Sequence, residues 1–140
     1  MPSGVAAVVA WSLVGTGRRV LVLGCGAALL AGCASLQQPE VEQVAASFAT
    51  GDPATRCALL APATVAGVEK SGSAGCAQVV GGLAPLGGNV QRAVVWGDKA
   101  QVQTADDTLF LTRTNGGWKV AAAGCTPADD APYVCRVEGP

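Results

Sequence analysis

A short apolar segment near the start of the chain decides which residues are left to form a fold. Residues 20–31 are almost entirely apolar, follow the basic pair Arg18-Arg19 and lead into Gly32-Cys33. A helix over this segment would be about 18 Å long, well short of the roughly 30 Å core of a bilayer. A basic stretch, a short apolar stretch and small residues at its end are instead typical of a cleavable export signal. We therefore expect residues 1–32 to be absent from the mature protein.

The end of this segment, Leu30-Ala31-Gly32-Cys33, resembles the lipobox of bacterial lipoprotein precursors. The resemblance implies that the thiol of Cys33 receives a diacylglycerol group and that cleavage between Gly32 and Cys33 makes Cys33 the new N-terminus. It implies membrane attachment through that lipid, on the extracytoplasmic face of the cell membrane. Three alternatives stay open: a buried core helix that ends in Gly-Cys, twin-arginine export through the basic pair, and an internal translation start.

Composition bounds the remaining chain to one small acidic domain. Removal of residues 1–32 leaves 108 residues, with seven of the nine basic residues, all ten acidic residues and a net charge of −3. Such a domain lacks the basic stripe that neutralises phosphates, which argues against nucleic-acid binding and against a polybasic membrane patch. We expect residues 33–39 to form a lipidated tether and residues 40–140 to form the domain. Its many small side chains bury little area each, so cross-links should contribute to its stability.

Four cysteines remain once residues 1–32 are removed and Cys33 is lipidated, and disulfides persist in exported domains. Four cysteines allow three connectivities. Proximity in sequence favours Cys57 with Cys76 and Cys125 with Cys135, each pair within one structural unit. The alternative is a four-cysteine zinc site, but the spacings contain no C-x2-4-C knuckle. We predict no metal and no cofactor.

The order of the predicted elements indicates an α+β domain. Apolar residues at one face predict a helix over residues 40–50, and Asp52-Pro53 starts a second short helix that ends at Ala61-Pro62. A third helix is expected over residues 73–83. Strand patterns follow over residues 89–96, 100–104, 108–113 and 118–123, with tight turns between them. Helices followed by a meander predict N-terminal helices packed on a four-stranded antiparallel sheet.

Several segments resemble small exported domains of the nuclear-transport-factor-two-like superfamily. They are the helix EVEQVAASFATGD, the cysteine segments TRCALLAP and GCAQVV, and the strands VVWGDKAQVQT, LFLTR and GGWKV. The superfamily includes lipoproteins of high-GC Gram-positive bacteria. The resemblance implies a curved sheet wrapped around a helix, which leaves a conical pocket. It implies no reaction, because the superfamily mixes isomerases, dehydratases and proteins without chemistry.

The amino-acid composition is compatible with few catalytic mechanisms. The chain contains no histidine, which excludes Ser-His-Asp and Cys-His arrangements and removes the commonest metal ligand. A carboxylate base in an apolar cone stays open, as in ketosteroid-isomerase-like relatives, but the only tyrosine, Tyr133, lies in the tail. We interpret Asp106-Asp107 as a solvated hairpin turn, and Asp129-Asp130 as a surface loop in preference to a calcium site.

Trp96 and Trp118 are the candidate pocket residues, because aromatic side chains are few, although core packing is the commoner role of a tryptophan in a strand. We expect a lipid-anchored cell-envelope protein that binds a partner protein or a small apolar ligand in its cone, without enzymatic activity. The alternative is a cone-fold enzyme of the isomerase or dehydratase type with a buried carboxylate base. An acid with a raised pKa facing the pocket would favour the enzyme, whereas an exposed apolar patch on the outer sheet face would favour a partner protein there.

Overall fold

Four helices precede five strands in the computed structural model, which describes residues 31–72, 74–83, 89–130 and 132–140, with the backbone alone for residues 31–35. The helices are α1 (Ala31–Thr50), α2 (Pro53–Leu59), α3 (Pro62–Ser71) and α4 (Cys76–Gly81). The strands are β1 (Val90–Trp96), β2 (Lys99–Thr104), β3 (Thr108–Thr114), β4 (Gly117–Cys125) and β5 (Val137–Glu138). Apart from the backbone of its last two residues, the expected signal peptide lies outside the described residues.

The strands form one antiparallel sheet in the order β1-β2-β3-β4-β5. A two-residue turn joins β1 to β2, and its Gly97 has a φ of 61°, a left-handed conformation that glycine adopts at little cost. The α+β class and the four predicted strands are confirmed. The predicted total of four strands was wrong, because β5 pairs with β4 at Ala123↔Val137 and Ala122↔Glu138. A strand of two residues is too short to give a periodic pattern.

The hydrophobic core lies between α1 and the inner face of the sheet. Val41, Ala45 and Phe48 of α1 are fully buried, as the predicted apolar stripe requires. In β2, Val102 is fully buried, whereas the alternating glutamines are only half-buried, which confirms the predicted inward and outward faces.

Two helix boundaries differ from the prediction because a proline was interpreted as a boundary in each case. The first helix includes the described residues from Ala31 onward and continues through Pro39, and the side chain of Gln38 donates a 2.9 Å hydrogen bond to Glu42 across that proline. The backbone of the expected tether, residues 33–39, is therefore helical. Pro62 begins α3, which was not predicted, because proline is favoured in the first turn of a helix. The predicted third helix is confined to α4.

Both predicted disulfides are present. Cys57–Cys76 joins α2 to α4, and Cys125–Cys135 joins the end of β4 to the C-terminal segment. The four cysteines are therefore not zinc ligands, and each bridge joins segments that also pack against each other. None of the helices in the described residues is both long enough and apolar enough to cross a membrane.

Candidate functional site

The structure separates the two tryptophans proposed for a common pocket. Trp118 is 2% exposed in the hydrophobic core, and its indole Nε1–H has no acceptor among the described residues. Trp96, at the end of β1, is 49% exposed. Trp96 pairs with Lys99, and the same cross-strand row continues through Thr112 to Lys119. Because Trp118 precedes Lys119 in β4, it faces the opposite side of the sheet. The two rings do not line one pocket.

The inner face of the sheet is filled by the protein's own side chains. Phe48, Leu111, Trp118 and Val120 belong to one cluster of buried residues. These four side chains line none of four grooves on the described surface, although Leu60 and Val68 of the same cluster each reach one of them. The interior therefore has the packing of a core, and a binding site is better sought on the surface.

The outer side of β1 carries the most exposed large apolar side chains of the described sheet. We call the outward side chains Arg92, Val94 and Trp96 the β1 surface. Val94 is 38% exposed and Trp96 49%. With Gln101 and Gln103 of β2, Arg92 and Val94 line a small groove of about 190 Å³. Apolar side chains beside a cation and two amides can combine hydrophobic burial with polar pairing, as protein interfaces do.

Strand β1 is also an open edge of the sheet. It pairs with β2 on one side, and within the described residues it makes no backbone hydrogen bond beyond that pairing. The register shifts between Val90 and Arg92, after which residues 92–96 pair regularly with β2. Alternate residues of this stretch therefore point their backbone N–H and C=O groups away from β2, along the open edge.

The C-terminal segment covers a different part of the outer face. The hydroxyl of Tyr133 accepts a 2.8 Å hydrogen bond from Nε2 of Gln101, and its ring meets Phe110 edge-on at 5.0 Å between centroids. An isolated bridge between Thr126 and Val134 holds the same segment. Tyr133 was predicted only to lie in the tail; the structure shows that this tail packs on β2 and β3 and leaves the β1 surface uncovered.

Asp107 has a structural role that the sequence did not reveal. Its Oδ1 accepts hydrogen bonds from the backbone N–H groups of Thr108 (2.7 Å) and Cys125 (2.9 Å), and Oδ2 accepts from Gly124 (3.0 Å). Burial raises the pKa of the Asp107 carboxyl above its usual value, although these hydrogen bonds and the charge of Arg136 act in the opposite direction. The interpretation of Asp107 as a solvated turn residue was wrong, because it ties the start of β3 to the end of β4.

Two grooves of more than 600 Å³ also lie at the surface. One, of about 620 Å³, runs beside the beginning of β1 and is lined by Gln43 and Ala46 of α1. The other, of about 660 Å³, lies between α3 and the β3–β4 turn and is lined by Leu60 and Val65, with Glu69 and Lys119 at its edges. Within the residues that the structure describes, no three His, Cys, Asp or Glu side chains come together as metal ligands.

Sequence reasoning found Trp96 but missed its neighbours Arg92 and Val94. The three residues alternate along β1, which is the signal of a common face, but Ala93 and Val95 on the other face are apolar too. A strand that is apolar on both faces gives no indication of which side is exposed. The predicted meander places β1 at an edge of the sheet, as observed, but it does not show which face of β1 packs on α1.

The side chain of Cys33 is not described, so its predicted lipidation and the cleavage after Gly32 stay predictions. The same holds for the resemblance to the nuclear-transport-factor-two-like superfamily. Comparison with protein-family models, with curated proteins and with solved structures gives no match to this chain.

Proposed function

We propose that this chain is a lipid-anchored cell-envelope protein whose domain binds a partner protein through the β1 surface and catalyses no reaction. The observation that carries the binding role is the contrast between the two sheet faces. The inner face is filled by core side chains, whereas Val94 and Trp96 stay exposed on the outer face. A partner that covers the exposed parts of Val94 and Trp96 gains about 25 cal/mol for each Å² of apolar area that it removes from water.

The anchor is supported by the lipobox, and α1 connects this segment to the domain. The backbone of Cys33 lies within α1, and the same helix reaches the core at Val41. Eight helical residues span about 12 Å, so the lipid would hold the domain directly at the bilayer surface. Each acyl CH2 contributes about 0.8 kcal/mol of membrane affinity, and confinement at the surface raises the local concentration of envelope partners. Two disulfides suit an oxidising compartment.

The alternative of a cone enzyme with a carboxylate base has less support. Asp107 is the carboxyl group in the described residues whose pKa burial raises, yet both of its oxygens accept backbone hydrogen bonds. It lines none of the four grooves. A base engaged in this way is poorly placed to remove a proton from a substrate. A small apolar ligand in the cone is disfavoured for a simpler reason, since core side chains occupy the inner face.

The anchor is tested by labelling in a bacterium that processes lipoproteins. The full chain is expressed with an alkyne fatty acid, and membrane and soluble fractions are analysed by intact mass and N-terminal peptide mapping. We expect the wild type to be labelled, to sediment with membranes and to begin at Cys33, because acylation and cleavage occur at the same residue. The Cys33→Ala variant should be unlabelled and unprocessed.

Cys25→Ala is the matched control, because Cys25 lies in the same apolar segment but outside the lipobox. This variant should be labelled and processed like the wild type. Recovery of the wild type as an intact soluble precursor with a free thiol at Cys33 would contradict the anchor.

A further inference from the structure

The partner that the β1 surface fits best is a second copy of this chain. We infer that two copies pair their β1 strands antiparallel about Val94, so that two five-stranded sheets become one continuous sheet. This inference rests on the part of the proposed function that assigns binding to β1, and it does not depend on the lipid anchor.

The backbone of β1 supplies the first argument. The regular part of the open edge runs from Arg92, just after the register shift, to Trp96, just before the turn at Gly97. An antiparallel strand laid along this edge satisfies the unpaired N–H and C=O groups. The midpoint of the regular stretch is Val94, so pairing about this residue uses its whole length.

The side chains supply the second argument, because β1 is complementary to itself in this register. Val94 lies opposite Val94 of the second copy, which buries two exposed apolar side chains against each other. Arg92 lies opposite Trp96 of the second copy, and the twofold symmetry repeats this pair. A guanidinium beside an indole ring is a favourable cation–π arrangement, and no like charges face each other. On the inner face, Ala93 lies opposite Val95.

Neighbouring registers fit less well. Pairing about Ala93 would extend the ladder into the register shift at Gln91 and would place Arg92 opposite Val94. Pairing about Val95 would leave only residues 94–96 within the strand before the turn. The register about Val94 therefore makes the longest regular ladder with matched side chains.

Helix α1 leaves the approach to this edge open. The side chains of α1 that line the groove beside β1 include the exposed and uncharged Gln43 and Ala46, together with the acidic Glu42. The groove of about 620 Å³ gives space on the helical side of the sheet for the corresponding part of a second copy.

The first test is cysteine cross-linking of the full chain in membranes. Directly opposed residues in an antiparallel ladder have Cα atoms about 4.5–5.5 Å apart, within reach of a disulfide. We expect Val94→Cys to give a species of twice the single-chain mass on a non-reducing gel after mild oxidation. Gln103→Cys is the control, because it lies on the same face one strand further in and should not cross-link. Arg92→Cys and Trp96→Cys should cross-link when co-expressed but not separately.

The second test is non-covalent. Light scattering of the purified wild type at micromolar concentration should give twice the mass of one chain, and Val94→Lys should halve it, because two like charges would meet at the twofold axis. Gln103→Lys adds the same charge away from the edge and should stay dimeric. A monomeric wild type together with no cross-link through Val94→Cys would overturn the inference. Wild type oxidised in parallel shows whether Cys33 carries a free thiol that can cross-link. Failure of the lipid anchor is therefore distinguished from failure of the β1 pairing.

Discussion

At the scale of single residues, Asp107 shows how one carboxylate can hold two strand ends together. In Asp107→Asn, the Oδ1 atom can still accept from Thr108 and Cys125, but an NH2 group replaces Oδ2 and faces the Gly124 N–H. Two donors then meet, and one partly buried N–H is left without an acceptor. We expect a loss of about 1–3 kcal/mol in the free energy of unfolding, measured by urea denaturation at pH 7. Asp106→Asn is the exposed control and should change stability by no more than about 0.5 kcal/mol.

The raised pKa of Asp107 also gives this prediction a pH dependence. Because burial raises the pKa of this carboxyl in the folded state above its ordinary value of 3.8, the folded protein binds the proton more tightly than the unfolded chain does. The contribution of Asp107 to stability should therefore fall as the pH rises from 3.8 through the raised pKa. The difference in unfolding free energy between the wild type and Asp107→Asn, followed over this window, should decrease with pH. A difference that grows with pH would show that the hydrogen bonds outweigh burial.

The two tryptophans of the domain provide a second test at this scale. Trp118 is buried and Trp96 is half-exposed, so their fluorescence should report different surroundings. In Trp96→Phe, the emission of Trp118 should be blue-shifted and poorly quenched by acrylamide. In Trp118→Phe, the emission of Trp96 should be red-shifted and readily quenched at low protein concentration. Similar quenching of both would contradict the separation of a core tryptophan from a surface one.

At the scale of elements, α1 differs most from its expected form. A proline inside a helix removes one backbone hydrogen bond and its ring crowds the carbonyl four residues earlier, at a cost of about 3 kcal/mol. Pro39→Ala should therefore strengthen α1 and slow amide hydrogen exchange at residues 36–38. If the helix instead began at residue 40, as the sequence predicted, Pro39 would lie at a tolerated position and the substitution would change little. Pro62→Ala is the control, since Pro62 already occupies a favoured position at the start of α3 and its loss should not stabilise the protein.

Elements with a strong local signal were predicted well, and those that depend on the rest of the fold were not. Strands β1 to β4 follow from alternation and turn residues in the sequence. The N-cap predicted at Asp52 is confirmed, because its carboxylate accepts hydrogen bonds from the backbone N–H groups of Ala54 and Thr55. The disulfide pairs followed from proximity in sequence. Strand β5 and the packing of Tyr133 arise from contacts with distant strands, which no local pattern encodes. The β1 surface was missed because both faces of this strand are apolar, so that the face left exposed depends on how the helices pack against the sheet.

At the scale of the whole molecule, one disulfide joins two helices and the other reinforces the C-terminal end of the sheet. One links α2 to α4, and the other links β4 to the segment that ends in β5. Bridges that close loops of 19 and 10 residues each contribute about 3 kcal/mol by restricting the unfolded chain. A domain of about 100 residues has a net stability of about 5–15 kcal/mol, so the bridges supply a large part of it.

The fold should therefore depend on an oxidising environment. We expect complete reduction to lower the melting temperature strongly and to leave the domain largely unfolded at 37 °C. Without the bridges the unfolded chain gains conformational entropy, which lowers the free energy of unfolding by about 6 kcal/mol. Thermal melting followed by circular dichroism, with and without reductant, measures the effect, and mass spectrometry verifies reduction. Each disulfide can also be removed alone, in the paired variants Cys57→Ala/Cys76→Ala and Cys125→Ala/Cys135→Ala. Each variant should lose about half of the stabilisation that the two bridges provide, because the bridges constrain separate segments. A fully reduced protein that melts at the same temperature as the oxidised one would remove the structural argument for placing this domain outside the cytosol.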